Sequence, residues 1–499
     1  GFPAGGWVSK VAPSAYDAGT VYVTVDGHRQ NDFGTYIWVS TDFGQTFQSI
    51  ANNLAGESVK TLTEDQKNRD VLYIGTETGI FLSLDRGKSW QRLKANFPNV
   101  RVDEITLHPR DNAMIIATHG RAIWILDHLE PIQEYAAAQQ TTADAKLFTP
   151  PPTSMFRRPA RDRNYEFWGD QNFFGENPPQ AAVISWLNKK PVGAVSLKIT
   201  DAMNREVREI SGQVLANSNK AGIQSACWDL RVQPVPAPQG RGGQPGGGRA
   251  GGPPADAPGG QQQNQQSPFG AGCGGGGGGF GGFGGGGGGN PGPYVLPGVY
   301  NVALVIDGKT IETKPLRVNA DPEVALTELE RKKMFDMAME MHELQKRGTE
   351  IATSVQGLQR EAAAITSAIG TRTDIPADVK TSFEEFNKEL TALAPKFVVA
   401  AGGRGGGGGG GRGGAPTGDQ PMARAAQAKN GLMATMPLTE GTTKAYADAK
   451  AQMPKAVTEA SALFAKAATL APQLAKYNLT LTPPAPIKPA AGTKGSSLK

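Results

Sequence analysis

Ser40-Thr-Asp-Phe-Gly-Gln-Thr-Phe47 returns as Ser83-Leu-Asp-Arg-Gly-Lys-Ser-Trp90, which places Asp42 and Asp85 43 residues apart. A third, weaker copy, Ile125-Leu-Asp-His128, puts Asp127 a further 42 residues along. Self-similarity at this period is the mark of a repeat architecture. Apolar strands precede each copy, as in Val71-Leu-Tyr-Ile-Gly75 with Ile80-Phe-Leu-Ser83, and in Met114-Ile-Ile-Ala117. Four short strands in each such repeat is the spacing of a β-propeller blade.

The repeat has a local physical reason. An Asp carboxylate can accept backbone N–H groups of its own turn, Gly supplies positive φ, and the closing aromatic returns to the core between blades. Asp42, Gly44, Asp85, Gly87, Trp90 and Asp127 are therefore read as structural, because a turn that consumes the carboxylate's acceptors leaves it nothing for catalysis.

These repeats resemble the Asp-box (BNR) repeats of sialidases, xyloglucanase-like glycoside hydrolases and sortilin-type propellers. The segments WVSKVAPS, VDGHR, IGTETGIFLS, HPRDN and THGRAIWILD resemble the closing blades of large bacterial exported proteins of sortilin-like or glycosyl-hydrolase-like type. The resemblance covers about residues 1–135. It implies an exported protein, periplasmic, cell-surface or extracellular, with a protein or carbohydrate ligand. A ring takes four to eight blades, and about three are present, so upstream blades or a partner chain are expected to complete it. The chain opens GFPAGGWVSK, with neither initiator Met nor signal-peptide pattern, and reads as an internal start.

Aligning the blades by their Asp turns places Glu77 and His119 at one equivalent turn, with Asp26-Gly-His-Arg29 at the same place in the first blade. Asp26, His28, Arg29, Glu77, His119 and Arg121 form the candidate ligand rim. Asp26 and Glu77 are the candidate catalytic acids of a glycosidase, whose separation would decide between retaining and inverting chemistry. A sialidase would need an arginine cluster and a Tyr nucleophile, and only Arg29 and Arg121 match. No short-range His and carboxylate spacing points to a metal, and no cofactor is expected.

The chain has 499 residues, more than one hydrophobic core accommodates, so several domains are expected. Its 65 glycines and 36 prolines exceed average usage, and most of the excess sits in two tracts. A net charge of +5 over this length gives no support to nucleic-acid binding. No apolar run is long enough to span a membrane. Cys227 and Cys273 fit either a reducing compartment or a secreted protein with one disulfide between them.

Residues 136–178 read as a connector carrying Tyr165, Phe167, Trp168, Phe173 and Phe174. Residues 179–321 alternate as a β-sandwich, resembling an immunoglobulin-like module in PxxAVISWL, WDLR and PGVYNVAL, with a Gly/Pro/Gln-rich insertion at 232–292. Trp186 and Trp228 are expected in its core. From 322 to 481 the apolar period becomes helical, with Met337, Met341, Leu344 and Ile351 on one face and Phe383, Phe386 and Leu390 on the next helix. A helical bundle with a glycine-rich loop at 401–418 and a disordered tail at 482–499 complete the reading. The fold class is multidomain: all-β propeller blades and an immunoglobulin-like sandwich, then an all-α bundle. The functional expectation is a non-catalytic exported scaffold that binds through a propeller face; the alternative is a glycoside hydrolase with most catalytic residues on upstream blades.

Overall fold

The computed structural model describes residues 2–94, 96–156, 179–236, 271, 273, 290–370, 372–397, 420–433 and 437–487. Tyr165, Phe167, Trp168, Phe173 and Phe174, most of the 232–292 insertion and the 401–418 glycine loop lie outside the described residues.

Three consecutive antiparallel meanders open the chain. Strands β1 (Trp7–Pro13), β2 (Val21–Asp26), β3 (Tyr36–Ser40) and β4 (Gln48–Ser49) form one sheet in that order. Strands β5 (Val59–Glu64), β6 (Leu72–Thr76), β7 (Ile80–Ser83) and β8 (Gln91–Arg92) form the second. The third has β9 (Val102–His108), β10 (Ala113–Thr118) and β11 (Ile123–Leu126). The period-2 alternation of β6 divides its side chains between neighbours: Leu72 and Ile74 join Tyr22, Ile37 and Trp90 on one side, while Tyr73 joins Val102, Ile105 and Met114 on the other. The middle sheet is thus buried on both faces. The outer flanks are not, since Trp7, Val8 and Val11 on β1 and Ile123 and Ile125 on β11 are exposed.

The repeated Asp turns are pinned from within. Asp42 accepts from Thr46 Oγ1 at 2.5 Å, Thr46 N at 2.9 Å and Ser40 Oγ at 2.7 Å. Asp85 accepts from Ser89 Oγ, Ser89 N and Ser83 Oγ at 2.5, 2.9 and 2.7 Å. Positive φ occurs at two successive residues in each turn, Phe43 with Gly44 and Arg86 with Gly87, and His128 keeps it in the degenerate third copy. Trp90 lies buried between the first two sheets and donates its indole N–H to Ile50 O at 2.8 Å. In the third repeat the chain leaves Asp127 for the short helices α1 (Glu130–Gln133) and α2 (Tyr135–Gln140).

Two further sheets enclose a second core. Strands β12 (Ala145–Leu147), β14 (Ala182–Asn188) and β17 (Gly222–Trp228) form one, in the order β12-β14-β17. The other is ordered β13-β19-β18-β15-β16, from β13 (Thr153–Met155), β15 (Val195–Thr200), β16 (Glu206–Ile210), β18 (Gly298–Ile306) and β19 (Lys309–Ala320). Trp186 and Trp228 are fully buried between them with Leu197, Ile199, Val302 and Leu316. Reading 136–178 as a connector is corrected here: it holds α2, and its strands β12 and β13 belong to these sheets, pairing with β14 and β19. Three-residue strands carry too little alternation to be seen in sequence. Cys227 and Cys273 form a disulfide beside a parallel bridge from Ala271 to Ala226. Ala271 lies on the free edge of β17, with Ala271 N donating to Ser225 O at 2.8 Å and Cys227 N donating to Ala271 O at 2.9 Å.

Four helices follow: α3 (Glu328–Ile369), α4 (Ala377–Phe397), α5 (Pro421–Leu432) and α6 (Glu440–Ala475). A capping box of Thr327 and Glu330 starts α3. Val355, Leu358, Phe383, Phe386, Leu463 and Leu470 share one core, and Met334, Met341, Ala425 and Ala449 share another. The disorder expected from 482 does not hold for 482–487, where Thr482 N donates to Glu361 and Ile487 packs on the helical core; 488–499 lie outside the described residues.

Replacing Asp85 by Ala removes three bonds to one carboxylate and is expected to lower stability by about 1–3 kcal/mol. Urea unfolding of the wild type and Asp85→Ala measures this, and equal midpoints would show that the turn stands without its pin.

Candidate functional site

The inner strands β1, β5 and β9 lie beside one another, and each carries a β-bulge at the equivalent place, leaving Ser9, Lys60 and Asp103 as the extra residues. A bulge re-aims the side chain at its position. Here it brings Lys60 and Asp103 to the end of the sheets where β2, β6 and β10 finish, close to Asp26, Glu77 and His119.

Lys60 is the centre of the arrangement. Its side chain is 5% exposed, and its Nζ lies 2.6 Å from Asp26 Oδ2 on the first sheet and 2.6 Å from Glu77 Oε1 on its own. His28 Nδ1 stands 2.5 Å from the same Asp26 oxygen and 3.0 Å from Lys60 Nζ, and Ser58 Oγ donates to Asp26 Oδ1 at 2.5 Å. Glu77 continues to Arg101 at 3.8 Å, Arg101 Nε donates to Asp103 at 2.6 Å, and Asp103 meets His119 Nδ1 at 3.3 Å. The result is a row of alternating charge, Asp26–Lys60–Glu77–Arg101–Asp103, flanked by the rings of His28 and His119 and running across all three sheets. A second polar row lies one residue deeper, where Lys10 Nζ bonds Glu104 Oε1 at 2.8 Å and Thr61 Oγ1 reaches the same oxygen at 3.3 Å.

Burial alone would raise the Asp26 pKa, but the hydrogen bonds from Lys60, Ser58 and His28 outweigh it and hold the carboxyl well below the usual range. Asp26 is consequently a fixed anion and a poor proton donor at any ordinary pH. The Asp42 carboxyl is also lowered, to about 2, by the bonds from Thr46 and Ser40.

Of the rim residues read from sequence, Asp26, His28 and Glu77 meet directly around Lys60, and His119 joins through Asp103 and Arg101. Arg29 stands apart, with its guanidinium 5.5 Å from the centre of the exposed Trp7 ring. Arg121 is exposed and enters the site only through its carbonyl, which accepts from the Trp124 indole. Sequence reading missed Lys60, Arg101 and Asp103. Their signal was present, because Lys60 and Asp103 are one 43-residue period apart, as are Ser58 and Arg101. Among the described residues no group of three His, Cys, Asp or Glu is arranged to hold a metal ion, and no helix is long and apolar enough to cross a membrane.

Residues 35–144 match the family model Sortilin-Vps10, described as sortilin, neurotensin receptor 3. The first sheets are propeller blades. No curated protein matches the chain. Similar solved structures include the GH74 enzyme of Niastella koreensis, at 13% identity over 42% of this chain and 30% of that one, with a TM-score of 0.20. The GH74 xyloglucanase of Xanthomonas campestris aligns at 14% identity over 44% and 29%, with a TM-score of 0.20. A YCF48 structure bound to D1 peptide aligns at 10% over 46% and 62%, with a TM-score of 0.19. The chain thus spans about 30% of the length of the GH74 structures, and likenesses this slight decide nothing about the site.

Lys60→Met leaves the Asp26 carboxylate buried without its cation and is expected to cost about 3–5 kcal/mol in urea unfolding. Adding Asp26→Asn to that variant should restore most of the loss; no recovery would mean that Lys60 acts through packing alone. Since the Asp26 carboxyl titrates lower in the folded chain than in the unfolded one, its stabilisation is present above about pH 4 and fades as pH falls further. Asp26→Asn should accordingly flatten the acid limb of the stability profile.

Proposed function

We propose that this protein is a non-catalytic, exported binding protein that recognises a protein or glycan ligand on the propeller face marked by Asp26, His28, Arg29, Glu77, His119 and Arg121. The observation that carries the reading is the Lys60 ammonium, bonded to both candidate acids at 2.6 Å. A glycosidase needs one carboxyl protonated and the other free to attack or to activate water. The ammonium lies between this pair and holds an oxygen of each. What the face offers to solvent instead is the stacked pair of Arg29 and Trp7, the exposed Arg121 and the 72% exposed His119 side chain. Cationic and aromatic groups of this kind suit hydrogen-bonding and stacking contacts with a ligand.

In the same reading the pinned turns are Asp-box repeats, the two-sheet unit is an immunoglobulin-like spacer and the four helices form a bundle that serves assembly or attachment. The exposed flanks of β1 and β11 support a ring continued by further blades, from upstream sequence or from a partner chain. The Cys227–Cys273 disulfide supports export to an oxidising compartment.

The test is a screen of peptide and glycan arrays followed by calorimetry on the ligand found. Arg29→Ala and Arg121→Ala are each expected to weaken binding by about 5–30-fold, with no turnover of β-glucans or sialosides by the wild type. Hydrolysis that disappears in Asp26→Asn or Glu77→Gln but survives in Asp42→Asn would overturn the reading in favour of a glycoside hydrolase.

A further inference from the structure

Where α5 meets α3 and the two-sheet unit, the Lys429 side chain is wholly buried. Its Nζ donates to Asn290 Oδ1 at 3.0 Å and lies 3.4 Å from His342 Nδ1 on α3. His342 Nε2 lies 3.0 Å from the Gln233 carbonyl, which can only accept, so the ring proton sits on Nε2 and Nδ1 is left as an acceptor for the amine. Two acceptors are therefore set around Lys429, both of them neutral. A neutral amine has two N–H donors and matches them; an ammonium brings a third, for which no acceptor is placed among the described residues. Gln345, on the same side of α3 one turn further along, is 1% exposed and its Oε1 has no donor among the described residues.

The surrounding charges agree with a neutral amine. From the two-sheet unit comes Arg231, stacked 3.9 Å from the Tyr294 ring centre and bonded to Gly292 O. Behind it Asp229 accepts from the Arg231 backbone N–H at 3.3 Å and faces Arg208. Lys346 on α3 adds positive charge near His342. On α5 itself Arg424 pairs with Asp448 of α6 at 2.8 Å. No carboxylate among the described residues forms an ion pair with Lys429.

We propose that Lys429 is a proton-operated latch between the two-sheet unit and the helices: as a neutral amine it ties α5 to His342 and Asn290, and protonation loosens that joint. The adjoining cavity between Tyr294, Leu296, Met334, Phe335 and Met433 then opens, because Met433 directly follows α5, one turn beyond Lys429. Burial first, and the Arg231 charge second, push the Lys429 amine down from the ordinary 10.5 to about 7. Burial and the Lys429 charge push His342 down to about 4. Between about pH 7 and 10.5 the unfolded chain holds a proton that the folded chain does not, so the joint strengthens as pH rises through that window. Below pH 7 the amine is charged in both states and the full cost of burying it is present; His342 adds its own cost as pH falls from 6.5 towards 4.

Hydrogen exchange on the full chain at pH 6 and pH 8.5, corrected for intrinsic rates, tests this. Protection of Pro421–Leu432 is expected to fall about tenfold or more at pH 6 relative to that of α4. The difference should vanish in Lys429→Met, whereas His342→Gln should leave the change near pH 7 in place. Equal relative protection of α5 at both pH values in the wild type, or an unchanged pH response in Lys429→Met, would overturn the proposal. The wild-type comparison decides by itself should Lys429→Met fail to fold.

Discussion

An ammonium that cannot reach water must be neutralised where it stands, and Lys60 meets that requirement only by joining two sheets. Its charge is bonded to Asp26 across one boundary between blades, while Glu77 passes the alternation on to Arg101, Asp103 and His119 across the next. Apolar packing brings the three sheets together, but it is indifferent to small sliding. A row of paired charges is not, and it fixes how the ends of β1, β5 and β9 line up. The same pairing is what carries the proposal that these carboxylates serve as scaffolding.

The bulges on β5 and β9 are what make this row. Without an extra residue on each inner strand, Lys60 and Asp103 would alternate to another face, and Asp26 would be buried with no cation beside it. Regular strands thus build the core between blades, and a one-residue irregularity at a repeated position builds the polar face.

A second buried amine is treated in the opposite way. Lys60 has two carboxylates beside it, whereas Lys429 has an amide oxygen and an imidazole nitrogen, with a guanidinium nearby. Burial penalises the ammonium in both places, and only the first has an anion to offset that cost. The difference gives the propeller end a rigid joint and the helical end one that responds to protons.

The 43-residue period of Asp42 and Asp85, the alternation of β6 and β18 and the helical stripe from Met337 to Leu358 were legible in the sequence, since each is a local pattern imposed by backbone geometry. The turn residues Asp26, Glu77 and His119 were legible too, by alignment of the repeats. Lys60, Arg101 and Asp103 were not recognised, because a charged residue within a strand takes its meaning from a partner in another sheet. The strands at 145–147 and 153–155 are too short to show a period and exist only through pairing with β14 and β19. His342 and Lys429, 87 residues apart on two amphipathic helices, look in sequence like ordinary polar positions. Sequence by itself determined the longer strands, the turns and the helices, because those follow from spacing along the chain. The tertiary structure alone decided which charges meet and which are left without a counter-charge, because desolvation and pairing depend on distances that the chain sets only once folded.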